Sequence, residues 1–266
     1  MSEWRKPHPT WIVGHRGAPR HARENTMVSF AQAVAAGADA IEFDVRQTRD
    51  GEAVVFHDEE IVLGNQRISI RSFTVRESEK LLLPSEFGEF RIPRLEEVFH
   101  RYGHAMRYLV EVKTSAQTRL ELMARRVSSL AQEFGLRARC LVASFDAELL
   151  RKMHETDPEI ATSLLFDHPV ALPEPGRATP LFPPVDAIGP RRDLVTTPLL
   201  SQAVEAGLTV HPWTVDETDE IRRLIEAGVA SVTTNAPDLA LRVRNGTETA
   251  EKGLAVLDDS KRRLFT

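Results

Sequence analysis

Short apolar, β-branched runs alternate with segments of helical periodicity from Trp11 to about Leu241. Nine runs read as strands: Trp11–His15, Ala40–Val45, Ala53–His57, Tyr108–Val112, Cys140–Ser144, Thr162–Phe166, Ala187–Gly189, Thr209–Trp213 and Ser231–Thr234. Helix signals recur between them. Thr26 precedes the Met27–Ala36 run and Gly37 follows it, Gly135 closes Leu120–Glu133, and Gly207 and Gly228 end Thr197–Ala206 and Thr218–Ala227. Strand and helix in alternation predict βα units on a mainly parallel sheet. A length of 266 residues suits a single α/β barrel.

Nine strands is one more than such a barrel uses. Ala40–Val45 and Ala53–His57 are joined only by Arg46–Glu52, with Asp50-Gly51 as a turn signal. That connection is too short for the helical crossover of a parallel pair, so one of the nine is expected outside the regular barrel. Glu59–Ile92 lacks a clean period and is expected to be a small excursion over the barrel mouth, before a helix starting near Pro93. Leu172–Pro184 is proline-rich and reads as an ordered surface loop. From Asn245 onward the chain is polar and weakly patterned, either a tail or a packed terminal helix. The expected organisation is one domain over residues 1–266, with an insertion at about 59–92 and a polar tail at about 245–266.

Composition narrows the partners. With 42% hydrophobic residues the chain can bury a sizeable core, and a net charge of −5 argues against nucleic acid as a partner. Cys140 is the single cysteine, which rules out an intrachain disulfide and suits a reducing compartment. Met1–Pro9 is polar and holds two prolines, without the apolar stretch of a signal peptide, so a cytoplasmic location is expected. No apolar run approaches the length of a membrane span. Oligomeric state is not legible.

The chemistry begins with Ile41-Glu42-Phe43-Asp44-Val45. Strand alternation puts Glu42 and Asp44 on one face, which in a barrel strand is the interior, where unpaired charge is costly. Val110-Glu111-Val112-Lys113 repeats the pattern with an acid and a base. Glu42, Asp44 and Glu111 would suit a hard divalent cation such as Mg²⁺ or Ca²⁺; buried arginines or lysines are the alternative partners. His15 and His57 stand at strand ends, where barrel enzymes place their chemistry, and two imidazoles can divide the taking and giving of a proton. Packing or capping is the other use of a histidine there. Arg16 offers a planar fork to phosphate oxygens and Lys113 a point charge. Gly17 reads as a point of close backbone approach or an ordinary turn glycine. Asn25 or Thr26 caps the first helix, and Glu24 is placed to orient a histidine or arginine.

In this order, His15-Arg16-Gly17, Glu24-Asn25-Thr26, Glu42-Phe43-Asp44, Asp50-Gly51 and His57-Asp58 resemble the glycerophosphodiester phosphodiesterases. Glu111-Val112-Lys113, Ser144-Phe145-Asp146, Trp213-Thr214-Val215-Asp216 and Thr234-Asn235-Ala236-Pro237 extend the likeness to about Leu241. The resemblance implies a TIM (β/α)8 barrel with a small insertion after the third strand. It also implies one divalent cation on Glu42, Asp44 and Glu111, His15 and His57 as the acid/base pair, phosphate held by Arg16 and Lys113, and Trp213 lining the alcohol side. The products would be an alcohol and glycerol 3-phosphate. Three positions depart from the family pattern. Arg23 replaces a proline, Ile61-Val62-Leu63-Gly64-Asn65 replaces a Leu-Asp-Arg-Thr-Thr pattern, and Asn235 replaces an aspartate. The loop after His57 bears on the substrate alcohol more than on the reaction.

Two rivals follow from the same residues. A lysophospholipase D would need apolar surface near the mouth, for which Leu81-Leu82-Leu83-Pro84 and Leu181-Phe182-Pro183 are candidates. A non-catalytic barrel binding a phosphorylated metabolite would be marked by loss of a carboxylate or a histidine, and none is lost.

Overall fold

A computed structural model describes residues 2–6, 8–173 and 182–247. In chain order the first elements are β1 (Trp11–Gly14), α1 (Met27–Ala36), β2 (Ala40–Gln47) and β3 (Ala53–Val55). The segment that follows carries β4 (Glu60–Leu63), β5 (Gln66–Ser69), α2 (Val75–Ser78), β6 (Leu83–Ser85) and β7 (Gly88–Phe90). Next come α3 (Leu95–Tyr102), β8 (Tyr108–Val112), α4 (Leu120–Glu133), β9 (Cys140–Ser144), α5 (Ala147–Thr156) and β10 (Ala161–Phe166). The last are β11 (Ala187–Pro190), α6 (Thr197–Glu205), β12 (Thr209–Val210), α7 (Thr218–Glu226), β13 (Ser231–Thr234) and α8 (Pro237–Arg244).

The parallel strands run β12-β11-β10-β9-β8-β2-β1-β13. Backbone bonds from Ala230 N to Val210 O at 2.9 Å and from Thr233 N to Pro212 O at 3.1 Å join the two ends of that series. The result is a (β/α)8 barrel of the TIM type. The ninth expected strand is β3, which pairs antiparallel with β2 through Val45 and Val55, Arg46 and Val54, and Gln47 and Ala53. The short Arg46–Glu52 link thus closes a hairpin, as its length requires. The run expected over Thr209–Trp213 is regular only to Val210. Pro212 supplies no amide donor, so the ladder gives way there to single bonds.

Small and apolar residues fill the lower barrel: Trp11, Val13, Ala40, Leu109, Leu141, Ala143, Ala161 and Ala187. Trp4 closes the floor, 1% exposed, edge-on to Trp11 at 5.0 Å, with Nε1 donating to Arg139 O at 2.9 Å. His211 is also sealed in, its Nε2 2.9 Å from Thr209 Oγ1 and its Nδ1 2.8 Å from Ser231 Oγ. Burial pushes its pKa down to about 3.

The excursion after β3 is two antiparallel hairpins, β4-β5 and β6-β7, around a small core of Val54, Phe56, Ile61, Ile70, Leu83 and Ile92. Leu83 therefore packs inward and Leu82 is the exposed member of the Leu81–Leu83 run. Phe182 is buried, while Leu181 and most of the proline-rich loop lie outside the described residues, as does the tail beyond 247. Among the described residues no helix is long and apolar enough to cross a membrane.

Candidate active site

Glu42, Asp44 and Glu111 point into the upper barrel from β2 and β8, and the parallel register sets Asp44 directly beside Glu111. All three are buried, and one carboxylate oxygen of each lies within 4.8 Å of the others. Glu42 Oε2 accepts from Arg16 N at 2.7 Å, whereas Glu42 Oε1 is buried with no hydrogen-bond partner. Lys113 Nζ stands 3.3 Å from Asp44 Oδ1 and 2.5 Å from Glu111 Oε1. Arg16 Nε lies 3.0 Å from Asp44 Oδ2, and its Nη1 donates to Glu24 Oε2 at 3.0 Å.

Two cations thus face three clustered acids, and the acids do not share them equally. Burial works against the charge on Asp44, but Arg16 and Lys113 outweigh it and hold its pKa below the usual range. Burial, then the neighbouring Asp44 charge, pushes Glu42 up to about 8 and Glu111 up to about 7. An unpartnered buried oxygen on Glu42, with Glu42 and Glu111 both short of compensating positive charge, fits a hard divalent cation, whose preferred ligands are oxygens.

His15 directly follows β1, with Nδ1 2.7 Å from Asn235 Oδ1 and Nε2 3.9 Å from Glu42 Oε2. Burial, then Arg16, lowers its pKa. His57 follows β3 by two residues. The amide of Phe56 donates to Asp44 O at 3.0 Å, which brings that strand end against the acids. Its Nδ1 faces Asp58 Oδ1 at 2.8 Å, and Arg46 Nε donates to its carbonyl at 2.7 Å. Trp213 is half-buried, donates from Nε1 to Gly189 O at 2.7 Å and meets Phe145 edge-on at 5.5 Å. It lines one cavity with His15, Glu42, Glu111, Ser163 and His211.

The loop from β1 to α1 explains the remaining sequence signals. Gly17 has φ 92°, and a Cβ there would lie 2.4 Å from Ser29 Oγ, so it is both a turn glycine and a close approach. Thr26 is the cap of α1, accepting from Ser29 N at 3.2 Å. Asn25 instead grips Asp44, its Nδ2 donating to Asp44 Oδ2 at 2.8 Å while its Oδ1 accepts from Asp44 N at 3.2 Å. Glu24 orients Arg16 rather than a histidine. Arg23 lays its guanidinium 5.1 Å from the centre of the Phe90 ring, joining this loop to the β6-β7 hairpin. Among the substituted residues after His57, Ile61 is a core residue of the insertion. Sequence reasoning missed Asn25 as a partner of Asp44 and Asn235 as a partner of His15. An asparagine, a residue able to sit at positive φ, directly before the Thr26 cap was the available signal for the former.

Fold and side chains together define a TIM barrel with an acidic, cation-suited centre at the ends of its strands. Residues 15–239 match the sequence profile of the glycerophosphoryl diester phosphodiesterase family, and the chain belongs to that family. A glycerophosphodiester phosphodiesterase of Caldanaerobacter subterraneus subsp. tengcongensis is 30% identical over 244 residues, covering 89% of this chain and 99% of its own. One from Bacillus subtilis is 28% identical, covering 88% and 86%. The crystal structure of a Silicibacter pomeroyi protein superposes with a TM-score of 0.78 at 28% identity, covering 92% of this chain and 96% of that one. An Oleispira antarctica phosphodiesterase, solved with the product sn-glycerol-3-phosphate, shares the fold at a TM-score of 0.75 and 22% identity, covering 88% and 96%.

Proposed function

We propose that this chain is a metal-dependent glycerophosphodiester phosphodiesterase that releases an alcohol and glycerol 3-phosphate, with residues 1–266 acting as one catalytic domain. The observation that carries the proposal is the meeting of three buried carboxylates, one oxygen of Glu42 unpartnered, with His15 at their edge. Family membership and the names of the relatives support the substrate class. A divalent cation, Mg²⁺ or Ca²⁺, on Glu42, Asp44 and Glu111 would supply positive charge to the phosphate oxygens.

The remaining chemistry belongs to the chain. Arg16, held in plane by Glu24 and Asp44, and Lys113 add positive charge where negative charge collects in the transition state. His15, kept neutral by burial and Arg16, accepts the proton of the attacking hydroxyl through Nε2. That hydroxyl is a water, which gives glycerol 3-phosphate directly, or a neighbouring hydroxyl of the substrate glycerol, which expels the alcohol and gives a cyclic phosphate that a water then opens to glycerol 3-phosphate. As the phosphorus–alkoxide bond breaks, His57 delivers a proton to the departing oxygen. Trp213 and Phe145 form the apolar wall of the alcohol side.

The test is a panel of glycerophosphodiesters and lysolipids assayed with Mg²⁺, Ca²⁺, Mn²⁺ or a chelator, with glycerol 3-phosphate as the readout. Turnover should vanish with chelator and return with cation. Glu42→Gln or His15→Ala should lower kcat by roughly 100-fold or more while thermal unfolding stays cooperative. Unchanged rates in both variants would remove the site, and absence of glycerol 3-phosphate from every diester would remove the function.

A further inference from the structure

The geometry points to Asp216 and Asn235 as positioning residues that lock the proton of His15 on Nδ1 and so keep Nε2 turned toward the substrate as the working nitrogen. The inference rests on His15 acting in the reaction proposed above.

Two strand ends and a loop meet at the seam of the barrel. His15 N donates to Thr234 O at 2.8 Å and Val215 N donates to Thr233 O at 2.9 Å, which ties the ends of β1 and β13 and the loop after β12 together. Across that seam Asp216 accepts three bonds. Oδ1 takes Asn235 N at 2.7 Å and Thr234 Oγ1 at 2.9 Å, and Oδ2 takes Asn235 Nδ2 at 2.7 Å. An amide turned the other way would set its carbonyl oxygen against the carboxylate, acceptor facing acceptor, so Asp216 decides the orientation of Asn235.

Asn235 Oδ1 is then left facing His15 Nδ1 at 2.7 Å, and an oxygen without a hydrogen can only accept. Nδ1 must carry the proton whether the ring is neutral or charged. The proton that comes and goes is therefore always the one on Nε2, which stands 3.9 Å from Glu42 Oε2. A third group commonly sets the tautomer of a catalytic imidazole in this way. Here an amide fills that role, and the carboxylate behind it never touches the ring. The arrangement gives a physical use to Trp213-Thr214-Val215-Asp216 and Thr234-Asn235-Ala236-Pro237, and to the asparagine at 235.

The experiment uses the full chain with ¹⁵N-labelled histidine, read by long-range ¹H–¹⁵N correlation in the absence of substrate, with His15→Gln identifying the signal. In the wild type, His15 should show a hydrogen-bearing Nδ1 and a lone-pair Nε2. Asn235→Leu, which removes the acceptor, should give mixed tautomers and a kcat lower by roughly 100-fold with KM nearly unchanged. Exchanging the pair, Asn235→Asp together with Asp216→Asn, keeps an oxygen facing Nδ1 and a donor opposite an acceptor across the seam, and should recover the Nδ1–H form and most of the lost kcat. Asp216→Asn frees the amide to turn and should also admit the Nε2–H form, so it serves if Asn235→Leu does not fold. A wild-type His15 protonated on Nε2 would overturn the inference. So would an unchanged tautomer in both Asn235→Leu and Asp216→Asn. Because the tautomer is read without turnover, a wild-type protein lacking phosphodiesterase activity would sink the proposed function without altering this reading.

Discussion

Asn25 holds a left-handed backbone, φ 56°, while both ends of its amide engage the buried Asp44. Arg16 has the same backbone habit at φ 52°, and its carbonyl accepts from Asn25 N at 3.1 Å. Two residues in a conformation that L side chains avoid are tolerated because the acids hold them there. Asn25→Ala should cost about 3 kcal/mol, from the lost bonds to a charged group plus roughly 1 kcal/mol of backbone strain. Asn25→Gly should regain about 1 kcal/mol of that. Urea midpoints for the two variants check the split, and equal midpoints would show that the backbone contributes nothing. At this scale the sequence exposed the charged residues themselves, since alternation along Ile41–Val45 already placed Glu42 and Asp44 on one face. Their partners were hidden. Asn25 reads as a helix cap until the chain folds back 19 residues to Asp44, and Asn235 lies 220 residues from His15.

The insertion belongs to the scale of elements. Its strands are three or four residues long and its own core is small, so it draws stability from packing under Val54 and Phe56 rather than from the barrel ladder. Ile70→Ala should cost about 3 kcal/mol. The loss should be local: amide hydrogen exchange should accelerate across Glu60–Ser69 while β1 and β2 keep their protection. Uniform acceleration would mean that the insertion and barrel unfold as one. The weak periodicity of Glu59–Ile92 is explained by these short hairpins, whose alternation never lasts long enough to register as a pattern. Strands buried on both faces were easier to read, because β8 and β9 are apolar throughout except at Glu111 and Ser144. The short link with its Asp50-Gly51 turn signal showed that one of the nine strands lies outside the regular barrel, but not that β3 pairs antiparallel with β2.

For the molecule as a whole, one pH dependence acts through the buried His211 of the barrel interior, alongside the opposite one from Glu42 and Glu111, whose raised pKa values disfavour the fold as pH rises. The folded pKa of His211, about 3, lies below the ordinary 6.5, so the unfolded chain binds a proton there that the folded chain refuses. The stability His211 protects is fully present above about pH 6.5 and is lost as pH falls toward 3, at about 1 kcal/mol for each pH unit. His211→Asn removes this titration, so the difference in urea midpoint between about pH 7 and about pH 5 should shrink relative to the wild type. Identical pH slopes would show that His211 is not sealed.

Ring closure carries a consequence for synthesis. The first strand of the barrel finds one of its two neighbours only in the last, Trp11–Gly14 beside Ser231–Thr234. During translation a nascent chain that stops short of Thr234 presents a bare sheet edge to its surroundings, so that edge is protected only once β13 has been delivered, and a product stalled before it is the form most exposed to chaperones and aggregation.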